Sequence, residues 1–136
     1  MAYKFEQLEV WHLSLEYIDS IYKIGELLPR SEEYNLKSQI IRAATSISLN
    51  IAEGSTGQTD AEQARFLGMA IRSLIETVAC QHLIRLRNYL ADGFLLDKIY
   101  DQSQILARKL QSFRKAISNT HRKVQEEEAI YLGDEI

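Results

Sequence analysis

Only one cysteine occurs in the 136 residues. An intramolecular disulfide is therefore impossible, and a cysteine-rich metal site is excluded. Cys80 sits among apolar residues inside a helical pattern, with no lysine one turn away and with His82 pointing elsewhere. It reads as a small buried hydrophobe rather than a reactive thiol. Proline is as scarce, and Pro29 is the single residue whose ring must stop a helix. No apolar run is long enough to span a bilayer and no signal peptide is visible, which implies a cytoplasmic protein with no membrane partner. Strand-like alternation, internal repeats and a glycine-rich phosphate loop are missing too. Basic charge is not in excess: sixteen Lys and Arg against nineteen Asp and Glu give a net charge of -3, which argues against indiscriminate nucleic-acid binding.

Histidine is also sparse. A di-metal site in a helical bundle needs two Glu-x-x-His motifs and two further carboxylates, and only Glu9-Val10-Trp11-His12 has that spacing, since neither His82 nor His121 follows a Glu by three residues. Half the ligands are missing, so no metal and no cofactor are expected. Some helical-bundle ribonucleases combine Arg, a polar residue, three variable positions and His; here Arg87-Asn88-Tyr89-Leu90-Ala91 is followed by Asp92, and the expected base is absent. No strained turn presents a serine nucleophile. The chain is read as a non-enzyme.

What is present is helix. The organising stretch runs from Gln39 to Gly54, QIIRAATSISLNIAEG. At about 100° per residue, Leu36, Ile40, Ala43, Ala44, Ile47 and Ile51 share one side, a stripe wide enough for a bundle core. Gln39, Arg42, Ser46, Asn50 and Glu53 form a polar band beside it. Beyond the band lie Ile41, Thr45, Leu49 and Ala52, a second and weaker apolar face. Either the bundle neighbours cover both faces or the second meets another subunit. Gly54 is expected at C′, ending the helix in the left-handed conformation. Glu53 has the wrong sign for a helix C-terminus, which costs up to about 1 kcal/mol, so a partner such as Arg65 or Arg72 is expected. The Asn50 amide is expected to bond across to the joint between helices 2 and 3.

Helix 1 is placed at about residues 8–27, with Trp11, Leu15, Ile18 and Tyr22 on one ridge and Val10, Tyr17, Ile21, Ile24 and Leu28 on the next. Pro29 biases Leu28 away from helical geometry. Either Ser31 or Asn35 serves as N-cap of helix 2. Thr59-Asp60-Ala61-Glu62 reads as a capping box opening helix 3, which is expected to reach Tyr89 or Asp92 with Ala64, Leu67, Ala70, Ile71, Leu74, Ile75, Val78, Ala79, Leu86 and Tyr89 inside. After the Asp92-Gly93 break, Leu96, Ile99, Ser103, Leu106, Leu110, Phe113 and Ile117 keep unbroken 3-4 spacing, the seam of helix 4. The fold class is all-α, an antiparallel up-down four-helix bundle over residues 1–118. Residues 119–136 form an acidic tail in which helix 4 continues for a turn or two. The tail holds two of the basic and five of the acidic side chains, leaving fourteen of each in the body.

Asn50-Ile51-Ala52-Glu53-Gly54, with the upstream Gln39-Ile40-x-Arg42-Ala43-Ala44 and Ser46-Ile47, resembles the hallmark of the 23S rRNA intervening-sequence protein family, ribosomal-protein-like four-helix bundles similar to the accessory variability proteins of diversity-generating retroelements. Phe5-x-x-Leu8-x-Val10-Trp11 resembles the family's opening, Arg65-Phe66-Leu67, Ala70 and Ser73-Leu74-x-Glu76 its third helix, and Tyr89-Leu90 its close. The family's usual glycine before that Tyr-Leu is Asn88 here, and Ile71-Arg72 stand where it has a basic residue and a glycine. The resemblance implies a non-catalytic homopentamer that associates with RNA, and in the retroelement branch with nucleic acid and a reverse transcriptase. Gln39, Arg42, Ser46, Asn50, Glu53 and Gly54 are then structural-motif residues. Ile41, Thr45, Leu49 and Ala52 are the candidate contact between subunits.

The candidate nucleic-acid residues lie on helix 4. Arg108, Lys115 and Arg122 recur every seven residues almost opposite the apolar seam, with Lys109 and Arg114 on the flanks. Two function classes remain open: a ring-forming protein that associates with ribosomal or other structured RNA, and an oligomeric protein-interaction scaffold with no nucleic-acid role.

Overall fold

The computed structural model describes the backbone of residues 2–57 and 59–134, and the side chains of these except at 120–125 and 128–134. Four helices follow one another: α1 over Glu9–Leu27, α2 over Leu36–Ser55, α3 over Asp60–Leu86 and α4 over Gly93–Asp134. Short 3-10 turns at Lys4–Gln7 and Arg30–Glu32 precede α1 and α2. No strand occurs among the described residues. α1 starts and stops as its sequence dictates. Leu8 and Leu28 are both extended (ψ 130° and 148°), the second because Pro29 excludes helical geometry from the residue before it.

Each helix packs on the next in chain order and α4 closes back on α1. Ser46 meets Ser73 and Gly54 lies against Phe66, so α2 and α3 run in opposite directions. Gly68 against Arg114, His82 against Tyr100 and Arg85 against Asp97 show the same for α3 and α4. Continuing this register puts Asp60, the start of α3, level with about residue 122. The final dozen or so residues of α4 therefore extend past its neighbour by about 18 Å at 1.5 Å per residue.

The core is where periodicity places it in α2 and α4 and on one of the two ridges of α1, whereas Leu15 and Tyr22 of the other ridge are exposed. Val10, Tyr17, Ile21, Ile24 and Leu28 are buried, as are Leu36, Ile40, Ala43, Ala44, Ile47 and Ile51, and Leu96, Ile99, Ser103, Leu106 and Leu110. Phe113 and Ile117 pack on the same cluster. In α3 the expectation fails after Leu74. Ile75 is 61% exposed and Leu86 74% exposed, Ala79 also faces out, and the inner stripe continues instead through Thr77, Cys80, Gln81 and Ile84. The reason is a polar chain across the bundle. The Thr77 hydroxyl donates to the Leu74 carbonyl (2.6 Å), which leaves Thr77 Oγ1 to accept from the Tyr17 hydroxyl (2.7 Å). Gln81 Nε2 in turn donates to Tyr17 (2.6 Å). Buried polar groups that satisfy one another can occupy core positions that apolar residues would otherwise take.

The helix ends bring further corrections. Gly54 is not a left-handed cap: no glycine among the described residues has positive φ, and α2 continues through Ser55. A methyl on Gly54 would lie 2.7 Å from Phe66 Cβ, so glycine is there to let α3 approach. Thr59 accepts from the Glu62 amide (3.1 Å) as expected, but the Glu62 carboxylate turns to Arg65 (3.7 Å) instead of closing the box. Asn35 occupies the N-cap of α2 without capping it through its side chain. Glu32 does that work: its carboxylate accepts from the Leu36 amide (3.5 Å) and Asn35 Nδ2 (2.9 Å), and its other oxygen from the Tyr89 hydroxyl (2.6 Å).

α3 ends at Leu86, earlier than the spacing suggested, because Asn88 is left-handed (φ 56°). Its amide bonds to Arg85 O (3.0 Å) and that of Tyr89 to Ile84 O (3.4 Å), the paired bonds of a Schellman turn. Asparagine tolerates that conformation better than other residues with a side chain, which explains how it can stand in for glycine here. α4 does not stop a turn or two into the acidic segment: its backbone is helical through Asp134.

Candidate nucleic-acid interface

Three surfaces carry the residues singled out by the sequence. The first is the polar band of α2. Gln39 Oε1 accepts from Arg42 (3.1 Å) on the exposed surface. Asn50 Nδ2 donates to the Ser46 carbonyl (2.9 Å) and hydroxyl (3.0 Å), and Ser73 of α3 donates to that same hydroxyl (3.0 Å). Asn50 thus bonds back along its own helix, not to the α2–α3 joint, and fixes the serine through which α2 meets α3. Glu53 has no ion-pair partner among the described residues. Of the two expected partners, Arg72 makes no ion pair with it and Arg65 is committed to Glu62 and stacks over Phe66 at 4.7 Å.

The second surface is the weaker apolar face of α2. Ile41 packs on the core cluster, with Cδ1 where a methyl on Gly25 would sit 3.2 Å away. Thr45 and Ala52 are half-buried, and the Lys4–Gln7 turn also packs on α2. Leu49 is left 58% exposed.

The third surface is the outer side of α4. Arg108 and Lys115 are exposed with no ion-pair partner among the described residues. Lys109 is tied to Glu9 of α1 at 3.1 Å. The Arg114 guanidinium lies over α3 at Gly68, where a methyl would be 3.2 Å from Cζ. Arg114 and Lys115 border a shallow groove of about 420 Å³ with Gln111, Ser112 and Ser118. The Arg122 side chain lies outside the described residues. Residues 102–125 contain six basic and no acidic residues, and Glu126, Glu127 and Glu128 follow at once.

The chain from residue 6 to 112 matches the family model of the 23S rRNA-intervening sequence protein. The protein belongs to this family. It is also similar in structure to a protein of unknown function from the S23 ribosomal protein family of Bacteroides thetaiotaomicron, with a TM-score of 0.72 and 27% identity over 78% of this chain and 98% of that one. No curated protein matches. Placed on the intervening-sequence protein module, Arg108 and Lys109 fall inside the match, whereas Arg114, Lys115 and Arg122 lie just beyond it.

Two features of this family member escaped sequence reasoning. On α3, Ile75, Ala79, Leu83 and Leu86 form an exposed apolar stripe; the spacing of Ile75, Ala79 and Leu86 reads as core in the sequence, and Leu83 is not singled out there. Between α3 and α4 a cavity of about 230 Å³ is lined by Gln81, His82, Arg85, Leu96, Asp97 and Tyr100. Its signal was a glutamine within an apolar stripe. No group of three or more His, Cys, Asp or Glu able to hold a metal occurs among the described residues, and no helix there is long and apolar enough to cross a membrane.

Proposed function

We propose that this protein is a non-catalytic, RNA-associating homo-oligomer, a closed ring and five-fold by family resemblance, that presents the outer side of α4 to ribosomal or other structured RNA. The observation that supports this reading is the charge order along α4, a basic block ended by three consecutive glutamates, with Arg108 and Lys115 exposed and without an ion-pair partner among the described residues. One subunit offers few phosphate contacts. A ring repeats the stripe around an axis and makes it multivalent.

Each contact releases counterions, so log K falls by about 0.7 per contact per log unit of salt for single strands. Binding is expected at low salt and is lost near physiological salt. Filter binding of a ribosomal RNA fragment across a salt series tests this, with and without residues 119–136. An Arg108→Gln, Lys115→Gln double variant must lower both the affinity and the salt slope. An unchanged slope removes the stripe from the interface.

Light scattering checks the assembly: the expectation is a multiple of the 15.7 kDa chain, dissociated by Leu49→Glu, and a monomer mass at micromolar concentration refutes it. A second reading, a protein-interaction scaffold without an RNA role, is favoured by the exposed α3 stripe, because contiguous exposed apolar surface marks interfaces. It prevails if no RNA is retained at the lowest salt.

A further inference from the structure

Gln81 is 5% exposed, yet its Oε1 has no hydrogen-bond partner among the described residues. Orientation of the amide is set by the polar chain it belongs to. The single Thr77 hydrogen goes to the Leu74 carbonyl, so the Tyr17 hydrogen must go to Thr77, and Tyr17 can only accept from Gln81. The amide nitrogen is therefore used, and what remains is an acceptor.

Gln81 lines the α3–α4 cavity of about 230 Å³, smaller than the roughly 300–1,000 Å³ of sites for drug-sized ligands and suited to a single planar ring system. One wall is Leu96, which is buried. His82 and Tyr100 also line it, and their rings meet edge to face, 6.3 Å between centroids at 70°. At the rim Arg85 is neutralised by Asp97 at 2.7 Å, so the mouth offers little to a phosphate. Aromatic rings beside Leu96, an unpartnered acceptor buried behind the lining and a rim ion pair suit an uncharged heteroaromatic ring with an amino group.

We propose that this cavity captures one unpaired amino-bearing nucleobase, adenine or cytosine in preference to uracil. The inference deepens the RNA reading and rests on it for the source of the base. Oε1 is screened from solvent, so the base reaches it as the 39%-exposed Tyr100 ring swings off His82 and stacks on the incoming ring. The amino group then donates to Gln81. Uracil carries no amino group, and its ring N–H is flanked by two carbonyl oxygens that would face the buried acceptor. Single-stranded bases are recognised in this way, by aromatic stacking and by bonds to their edges.

The experiment titrates the full chain with adenosine, cytidine and uridine and follows the His82 and Tyr100 ring resonances. Adenosine and cytidine should shift both saturably, with uridine at least tenfold weaker, and AMP should match adenosine because the rim ignores phosphate. Tyr100→Ala and His82→Ala, both at exposed positions, should each weaken adenosine by about tenfold through lost stacking. Equal binding of adenosine and uridine, or no movement of either ring at millimolar nucleoside, overturns the inference. Oligoadenylate separates it from the RNA reading. If RNA binds and Tyr100→Ala leaves its affinity unchanged, the base site fails and the RNA reading stands; if nucleosides bind at the rings and no RNA does, the base site stands alone.

Discussion

Substituting alanine at two glycines isolates the close approach of α2 and α3. A methyl at Gly54 would meet Phe66 Cβ at 2.7 Å, an atom fixed by its own backbone, so one helix must move. Overpacking of this kind costs about 1–3 kcal/mol. A methyl at Gly68 meets Arg114 Cζ at 3.2 Å, the far end of a flexible side chain that can swing aside. Both glycines are helical, and alanine in a helix interior gains roughly 0.5–1 kcal/mol over glycine; the gain is full at Gly68 in the middle of α3 and smaller at Gly54 in the last turn of α2.

The expected outcomes have opposite signs. Gly68→Ala should stabilise by up to about 1 kcal/mol and Gly54→Ala should destabilise by about 1–2 kcal/mol after the propensity gain is subtracted. At roughly 4 °C per kcal/mol for a domain of this size, the two variants should melt about 4–12 °C apart at matched protein concentration. Gly54→Asn sharpens the test: asparagine would partly rescue a left-handed cap but is bulkier against Phe66, so it should melt below Gly54→Ala. A Gly54→Ala protein as stable as the parent would refute the close-approach argument.

Other perturbations follow from the polar contacts. Tyr17→Phe strips the acceptor from Gln81 and the donor from Thr77, and leaving buried groups unpaired costs about 1–3 kcal/mol, measurable by urea denaturation. Burial pushes the Tyr17 hydroxyl up to about 12; a raised folded pKa means its stabilisation is complete below pH 10 and is lost as pH rises toward 12, so the parent should lose stability faster than Tyr17→Phe over that window. The Glu32 carboxyl is held below its ordinary 4.5, first by the Tyr89 hydroxyl and then by Asn35. Its contribution is present above that pH and lost as pH falls through the lowered value, so the stability difference between parent and Tyr89→Phe should shrink on acidification. Asn50→Ala should lower stability by about 0.5–1.5 kcal/mol, and an unchanged melting curve would show that fixing Ser46 is dispensable.

How far the sequence could be read depended on whether a position answers to its own helix or to a distant one. The seam of α4 from Leu96 to Ile117 and the inner face of α2 are legible because 3-4 spacing of apolar residues is a local property. Thr77 and Gln81 look misplaced in any window along α3; they fit only because Tyr17, about sixty residues earlier, supplies their partner. Gly54 sat where a cap is expected, and nothing local reveals that Phe66 needs the space. Asn88 ended α3 early through its own left-handed backbone. The outward set of Arg108 and Lys115 was readable from heptad spacing, whereas the tethering of Lys109 to Glu9 and the laying of Arg114 over Gly68 required α1 and α3 to be in place.

The length of α4 has a mechanical consequence. A helix of 42 residues is a rod of about 63 Å at 1.5 Å per residue, and its inner two-thirds are clamped by the bundle. Its last dozen or so residues project past α3, so their direction is set by the clamped part. Glu126 and Glu127 lie on this projecting part, and in an assembly of several copies the tips would be spaced by the geometry of the bodies, like the teeth of a gauge.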